Sequence, residues 1–283
     1  MTGDRNPHAR LTDCARAWRV SVANVIETGT SLLGFGHRGN EPVVLKVVKR
    51  AGDEWDSGDV VAAFNGKGVV RVFEHIGGAL LLEWLTPATP LVSMVRDERD
   101  NEATDVLAGL IDEIRGTEPP ARCPTVRQWG EAFDRYLASG DEHIPRQLID
   151  DARDHYLRLC ASQQHAQLLH GDLHHDNVLW DSIRGWTATD PKGVVGEIEY
   201  EIGAALRNPM AMRDLVTAPQ RVQKRVEQFS TYLGLDAERV LGWAFGQAVL
   251  SAIWEVEDGR AVDVTHVGLR LAQAIGTLLG RRI

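Results

Sequence analysis

The apolar residues of this 283-residue chain change their spacing near Pro87, and this change constrains the fold more than any other feature. Before it, over residues 18–85, apolar runs are short and rich in β-branched residues, as in "PVVLKVVKR", and turns bound them. One short helix, "DSGDVVAAFNGKG", interrupts these strands. After it, long segments carry the spacing of amphipathic helices. The pattern predicts an α+β chain with a small β-rich lobe over residues 1–85 and a larger helical lobe over residues 86–283.

One β-hairpin is predicted inside the helical lobe. The segments "NVLWD" (177–181) and "GWTATD" (185–190) flank the turn "SIRG". Asp172 and Asn177 precede this hairpin, and Asp190 ends it. Because a hairpin returns the chain to the end where it began, we expect these three polar side chains to lie close together.

Composition excludes several classes of protein. The formal net charge of −9 argues against nucleic-acid binding, which needs clustered lysines and arginines, and it suits a cationic small-molecule substrate. The three cysteines are widely spaced and indicate reduced thiols. The N-terminal stretch has no apolar signal region, and no apolar run is long enough to span a bilayer. We expect a cytoplasmic monomer or homodimer without a nucleic-acid or membrane partner.

The stretch "LLHGDLHHDNVLW" (168–180) allows two chemistries. His170 and His174 are four residues apart, a spacing that places two zinc ligands on one face of a helix, and His175 lies next to them. Gly171 and the apolar strand before it argue against a helix, and no other segment is rich in histidine or cysteine. A zinc-dependent hydrolase is therefore the less favoured alternative.

Phosphoryl transfer requires a different set of groups. It needs a carboxylate that accepts the proton of a hydroxyl, oxygen ligands for Mg²⁺, and a lysine on the phosphates. Asp172 can supply the carboxylate, and Asn177 with Asp190 can supply the oxygen ligands. The spacing of five residues between Asp172 and Asn177 allows one tight loop to hold both.

These residues carry a resemblance to a known family. "HGDLHHDN" resembles the HGDxxxxN catalytic loop of aminoglycoside phosphotransferases, and "DPKG" (190–193) takes the place of the metal-binding DFG segment of kinases. "DPKGVVGEIEYEIGAALRNP", "AAFNGKGVVRVFEH" and "ALLLEWL" are similar to the streptomycin 6-phosphotransferase and hydroxyurea phosphotransferase branch. The resemblance covers residues 25–90 and 165–210. It implies a two-lobed protein-kinase-like fold and transfer of the γ-phosphoryl group of ATP, with Mg²⁺, to a hydroxyl of an aminoglycoside or a similar polar, cationic molecule.

The resemblance also implies catalytic roles. Asp172 is the expected base, and His170 is expected to orient the loop through hydrogen bonds. Asn177 and Asp190 are the expected Mg²⁺ ligands.

Six residues are expected to hold the nucleotide: Thr30, Ser31, Lys46, Asp59, Glu83 and Leu85. Lys46 would contact the α- and β-phosphates if the VVL face of its strand packs inward, and Asp59 fits the role of its acidic partner better than Glu54. Backbone N–H groups of "ETGTSLLGFG" (27–36) would cover the phosphates. The C=O of Glu83 and the N–H of Leu85 would contact adenine.

Carboxylates behind the metal site are candidates for binding a cationic acceptor. Glu197 and Glu201 follow DPKG, and Glu255 lies at the end of a long helix. Solvated surface charge is the alternative for each.

Two other functions stay open at this point. One is a housekeeping kinase for a sugar or an amino alcohol, which would keep the fold and change the acceptor. The other is a non-catalytic nucleotide-binding pseudokinase, and the intact set of Asp172, Asn177 and Asp190 argues against it.

Overall fold

The structure is a computed structural model, and it describes residues 6–52 and 54–280. Its strands are β1 (Ser21–Glu27), β2 (Ser31–Arg38), β3 (Glu41–Val48), β4 (Val72–Ile76), β5 (Ala79–Glu83), β6 (Pro87–Pro90), β7 (Gln167–Leu169), β8 (Val178–Asp181), β9 (Gly185–Ala188) and β10 (Val194–Gly196). Its helices are α1 (Pro7–Ala17), α2 (Ser57–Phe64), α3 (Val92–Arg96), α4 (Asp100–Ile114), α5 (Val126–Trp129), α6 (Glu131–Ser139), α7 (Arg146–Ala161), α8 (Ile198–Leu206), α9 (Arg213–Val216), α10 (Pro219–Leu233), α11 (Ala237–Glu257) and α12 (Val267–Leu278).

Strands β1 to β5 form the antiparallel sheet of the small lobe, in the order β1–β2–β3–β5–β4. Alternate residues of β3 point to opposite faces of this sheet. Val43, Leu45 and Val47 share a core with Leu11 of α1. Lys46 has the opposite parity, so its side chain points away from α1 and toward the large lobe.

Helix α1 was missed by the sequence analysis. Its N-terminus is capped, because Oδ1 of Asn6 accepts a hydrogen bond from the N–H of His8 at 2.9 Å, and Pro7 occupies the first turn. Its buried residues are only Leu11 and Ala15, so its apolar periodicity is weak. The helix nevertheless covers the outer face of the sheet.

Helix α11 is the central element of the large lobe. It packs against α7, α8 and α12, and Trp243, Phe245 and Val249 on it are fully buried. A helix that is surrounded on all sides carries apolar residues all round, which explains its sequence. None of the described helices is both long and apolar enough to cross a bilayer.

The predicted hairpin is present as β8 and β9, with Val178 opposite Ala188. Strand β6 adds a third strand beside β8, which was not predicted from the sequence. Proline is tolerated there because β6 is an edge strand of this sheet. The neighbouring pair β7–β10 joins the chain before the catalytic loop to the chain after DPKG.

Helix α2 belongs to the core of the large lobe. Val60 and Phe64 lie in the same apolar cluster as the large-lobe helices, whereas the outer face of the sheet has its own smaller cluster with α1. The segment after α2 continues this connection. Ala188 of β9 donates a hydrogen bond to the carbonyl of Gly68 and accepts one from the N–H of Val70, both at 2.8 Å.

Candidate active site

The loop between β7 and β8 is held by the buried side chain of His170. Nε2 of this imidazole lies 3.1 Å from the carbonyl of Thr189, and Nδ1 accepts a hydrogen bond from the N–H of Asp172 at 3.3 Å. Burial lowers the pKa of His170 to about 4, so the ring is neutral near pH 7. A neutral ring fits these contacts, because Nε2 must donate to a carbonyl and Nδ1 must accept. These two contacts connect the start of the loop to the end of the hairpin through His170.

The carboxylate of Glu201 on α8 also holds the loop between β7 and β8. The N–H of Gly171 donates to both carboxylate oxygens, at 3.1 and 3.2 Å. Gly171 has a φ of +80°, and a side chain there would approach Trp129. Burial raises the pKa of Glu201 to about 7. This anchoring role of Glu201 was not predicted from the sequence.

Of the three carboxylates predicted to bind the acceptor, Glu197 and Glu201 are buried and engaged elsewhere, which contradicts the prediction for these two. Glu201 is 1% exposed and faces the loop backbone. Glu197 is buried, and it accepts hydrogen bonds from Arg239 at 2.5 Å and from the indole of Trp243. Glu255 pairs with Arg260. Glu201 is buried because α8 packs against α11, α10, α4 and β7, and Glu197 is buried just before the start of this helix.

Asp172 lies between two cationic or potentially cationic groups. Its Oδ1 accepts a hydrogen bond from Nη2 of Arg207 at 3.1 Å, and its Oδ2 lies 3.7 Å from Nε2 of His174. Burial alone would raise the pKa of Asp172, but His174 and Arg207 outweigh it and hold that pKa well below its usual range. Asp172 is therefore an ionised carboxylate, as a proton acceptor must be.

Asn177 contacts the backbone of Asp172, and both Asp172 and Asp190 lie near the ring of His170. Nδ2 of Asn177 donates to the carbonyl of Asp172 at 2.9 Å, and the carbonyl of Asn177 accepts from the N–H of Thr189 at 2.7 Å. The amide nitrogen of Asn177 is thus engaged with the loop, so its oxygen is the atom that could bind a metal. Asp190 has a φ of +61°, and the charges of Lys46 and Lys192 overcome burial and lower its pKa.

This donor set fits Mg²⁺. One amide oxygen and one ionised carboxylate are hard ligands, and Mg²⁺ usually completes its octahedron with water and phosphate oxygens. The imidazoles do not form an alternative site. His175 is buried next to Asp100 and Arg225, away from His170. Among the residues that the structure describes, no group of three or more His, Cys, Asp and Glu side chains is placed to hold a metal.

Lys46 pairs with Asp190 and with Oε2 of Glu54, the latter at 3.3 Å. The prediction that Asp59 is the acidic partner of Lys46 is therefore wrong. The side chain of Asp59 is 59% exposed and lies 3.9 Å from Nδ1 of His75. Helix α2 buries its apolar face in the core, which turns Asp59 outward, whereas Glu54 lies in the turn before the helix and reaches the lysine.

The loop between β1 and β2 closes on itself. The N–H of Ser31 donates to Oγ1 of Thr28 at 3.0 Å, and the carbonyl of Ser31 accepts from the N–H of Thr28 at 2.9 Å. The N–H of Ser31 is therefore not available for a phosphate in this conformation, contrary to the expectation. Thr30 is exposed at the tip of the loop.

The segment that connects the lobes is tied to the hairpin turn. The carboxylate of Glu83 pairs with Arg184 and accepts a hydrogen bond from the N–H of Arg71 at 2.7 Å. Leu85 is buried just beyond it. The expected adenine contacts use the backbone of Glu83 and Leu85. The side-chain contacts of Glu83 do not test them, so they stay a prediction.

A cavity of about 600 Å³ opens in front of Asp172. Trp129 and Trp254 form one wall, with their rings edge to face and their centroids 5.7 Å apart. Eight ionisable side chains of opposite charges also line it: Asp56, Asp59, Asp172, Glu257, Arg122, Arg135, Lys192 and Arg207. The cavity thus offers both carboxylates and aromatic faces next to the proposed base.

The sequence has clear relatives. Residues 17–259 match the model of a family described as aminoglycoside/hydroxyurea antibiotic resistance kinase. The chain is 31% identical over 248 residues to a streptomycin 3''-kinase of Klebsiella pneumoniae, covering 86% of this chain and 91% of that protein. It is 34% identical over 262 residues to a hydroxyurea phosphotransferase of Kitasatospora aureofaciens, covering 84% and 73% respectively.

Solved structures share the fold at much lower identity. A choline kinase from Streptococcus pneumoniae has a TM-score of 0.65 at 14% identity, covering 96% of this chain and 99% of that one. An aminoglycoside phosphotransferase in a ternary complex with ADP and hygromycin B has a TM-score of 0.67 at 15% identity, covering 93% and 97%. These similarities confirm the predicted kinase-like α+β fold. The chain belongs to the aminoglycoside/hydroxyurea antibiotic resistance kinase family and is a small-molecule phosphotransferase.

Proposed function

We propose that this enzyme transfers the γ-phosphoryl group of ATP, with Mg²⁺, to a hydroxyl of an aminoglycoside or a similar polar, cationic molecule. The observation that carries the proposal is the placement of Asp172. Its ionised carboxylate faces the cavity, Asn177 donates to its backbone carbonyl, and Asp190, which pairs with Lys46, follows the hairpin after the loop. The cytoplasm, which supplies ATP, is the proposed place of action.

In the proposed reaction the acceptor oxygen forms a bond to the γ-phosphorus, and the bond from that phosphorus to the β,γ-bridging oxygen breaks. ADP leaves with the electron pair of that bond. The hydroxyl proton passes to the carboxylate of Asp172, which His170 and Glu201 hold in place through the loop backbone. Asn177 and Asp190 would hold Mg²⁺, which neutralises phosphate charge when it is bound.

The acceptor would bind in the cavity in front of Asp172. The carboxylates of Asp56 and Asp59 line this cavity and are exposed, so they are available to cationic groups. The two indole rings of Trp129 and Trp254 can cover the apolar face of a sugar or receive a cation. These residues replace Glu197 and Glu201 in the proposed acceptor site.

The test is a screen of the purified protein with ATP and Mg²⁺ against streptomycin, hygromycin B, hydroxyurea, choline, ethanolamine and simple sugars. ADP release and the mass of the product would identify the acceptor. Phosphorylated streptomycin or another aminoglycoside supports the proposal. Transfer only to an amino alcohol or a sugar would replace the acceptor class, and binding of ATP without any transfer would favour the pseudokinase.

A further inference from the structure

Lys192, the third residue of DPKG, occupies a place that the roles described above do not use. Its Nζ lies 2.5 Å from Oε1 of Glu54, and the other oxygen of the same carboxylate lies 3.3 Å from Nζ of Lys46. One carboxylate therefore holds two lysines side by side. Each lysine contacts a different oxygen of Glu54, so the two ammonium groups are held at one place beside Asp190.

The backbone of Lys192 is fixed to the catalytic loop. The N–H groups of Lys192 and Gly193 both donate to the carbonyl of His170, at 2.9 and 3.0 Å. Gly193 has a φ of +75°, and a Cβ there would lie 2.5 Å from Cγ2 of Val60. The Cα of Lys192 therefore keeps a constant position relative to the loop that carries Asp172.

The side chain of Lys192 lies at the cavity wall, where Asp172 also lies. It is 32% exposed, so the ammonium group is accessible from the cavity. The charges around Lys192 would change when a nucleotide binds. Lys46 and Lys192 balance Glu54 and Asp190, and the arrival of a triphosphate adds negative charge beside them. The ammonium group of Lys192 is close enough to both Asp190 and Asp172 for their charges to act on it, so it lies near the path of a phosphoryl group that moves between a nucleotide at Lys46 and an acceptor at Asp172.

We propose that Lys192 is a further catalytic residue, whose Nζ donates a hydrogen bond to an equatorial oxygen of the transferring phosphoryl group. The inference rests on the proposed function. Lys192 forms no covalent bond in the step, and it releases Glu54 wholly or in part to contact the phosphoryl oxygen. Its charge acts most strongly when the phosphoryl group lies between ADP and the acceptor, because that is when charge accumulates on the equatorial oxygens.

The experiment compares Lys192→Met with the parent in two assays. With an acceptor from the screen, kcat should fall about 100-fold while the KM for ATP changes little, as for the loss of one preorganised donor. Calorimetry with Mg²⁺ should show an unchanged affinity for ADP. Aluminium fluoride mimics the phosphoryl group in transfer and should raise the ADP affinity of the parent, and this gain should be lost in the variant.

Two variants control for structural damage. Lys192→Arg keeps a cation at the position and should recover part of kcat and part of the aluminium fluoride effect. If the ion pair with Glu54 were only structural, the melting temperature would change, but ADP affinity and the aluminium fluoride effect would not respond differently. Lys67→Met removes an exposed lysine after α2 and should change neither assay. An unchanged aluminium fluoride effect in folded Lys192→Met overturns the inference. A parent that binds neither ATP nor ADP overturns the proposed function itself.

Discussion

Nη2 of Arg207 lies 3.1 Å from Oδ1 of Asp172, across 35 positions of the chain. The guanidinium is itself held by Gln247, whose Oε1 lies 3.4 Å from Nη1. Gln247 fits there because Gly203 has no side chain, since a Cβ at that position would lie 2.5 Å from the amide carbon of Gln247. Arg207 is therefore a positioning residue that orients the proposed base and keeps it ionised.

Replacing Arg207 with Gln should move the acidic limb of the pH profile to higher pH. Without the guanidinium charge, only His174 and His170 oppose the effect of burial, so the pKa of Asp172 rises relative to the parent and the base becomes protonated at a higher pH. The measurement is kcat/KM against pH for both proteins. Arg207→Lys, which keeps the charge, should shift the limb less. Superimposable profiles for parent and Arg207→Gln would remove Arg207 from this role.

Asp172→Asn should lower kcat by about 100-fold or more, which is the usual size of a general-base contribution. The amide is close in shape and can still contact the loop, so the affinity for ATP should stay near that of the parent. Initial rates with the true acceptor and calorimetry with ATP measure the two quantities. A variant that keeps most of its kcat would exclude Asp172 as the base.

Asp190→Ala should weaken binding of a non-hydrolysable ATP analogue when Mg²⁺ is present. The substitution removes the proposed carboxylate ligand, and the loss of a metal ligand acts only when the metal is there. Titrations with and without Mg²⁺ separate this effect from the loss of the pair with Lys46. Equal Mg²⁺ dependence in variant and parent would mean that Asp190 is not a ligand.

Glu201→Gln should remove part of the pH dependence of stability. Burial raises the pKa of Glu201 to about 7 in the folded chain, above the ordinary value of 4.5. Between these two pH values the folded state therefore binds more protons than the unfolded state. The contribution of Glu201 to the free energy of unfolding is largest below pH 4.5 and is lost as the pH rises toward 7. Melting temperatures of both proteins across this range should converge at low pH and diverge in favour of the variant at higher pH.

The ion pair of Asp100 and Arg225 should contribute strongly to the stability of the large lobe. Both residues are buried, their side chains are 2.5 Å apart, and Arg225 also donates to the carbonyls of Ala205 and Asn208. Arg225→Met should cost about 3 kcal/mol, because it leaves a buried carboxylate short of a partner. Urea unfolding gives the value. Arg221→Met, which removes the more exposed contact to Asp100, should cost about 1 kcal/mol or less.

The parts of the site that could be predicted from sequence depend on local geometry. A hairpin of fixed length brings Asp190 back to Asp172 and Asn177, and strand parity selects Lys46 over Lys49. The first relation follows from the length of the hairpin, whereas the second also depends on which face of β3 packs inward.

The parts that were missed depend on how helices pack. The acidic run "EIEYE" has the appearance of a solvated surface, but α8 is enclosed by the large lobe, which buries Glu201 beneath the catalytic loop. Similarly, the rotation of α2 in the core decides between Glu54 and Asp59, and it cannot be deduced from their positions in the chain. Arg207 was overlooked because only the approach of α8 to the loop brings it to Asp172.

The shared core around α2 has a consequence for recombining this chain with its relatives. A chimera joined at residue 85 would transplant Val60 and Phe64 into an unmatched partner and would break the fit between Val60 and Gly193. The hydrogen bonds of Ala188 to the segment after α2 would be disturbed at the same time. The unit that can be exchanged as one piece is therefore α1 with the residues of the sheet that pack against it. The stretch from Glu54 to Arg71 must come from the same parent as the catalytic loop and the DPKG segment.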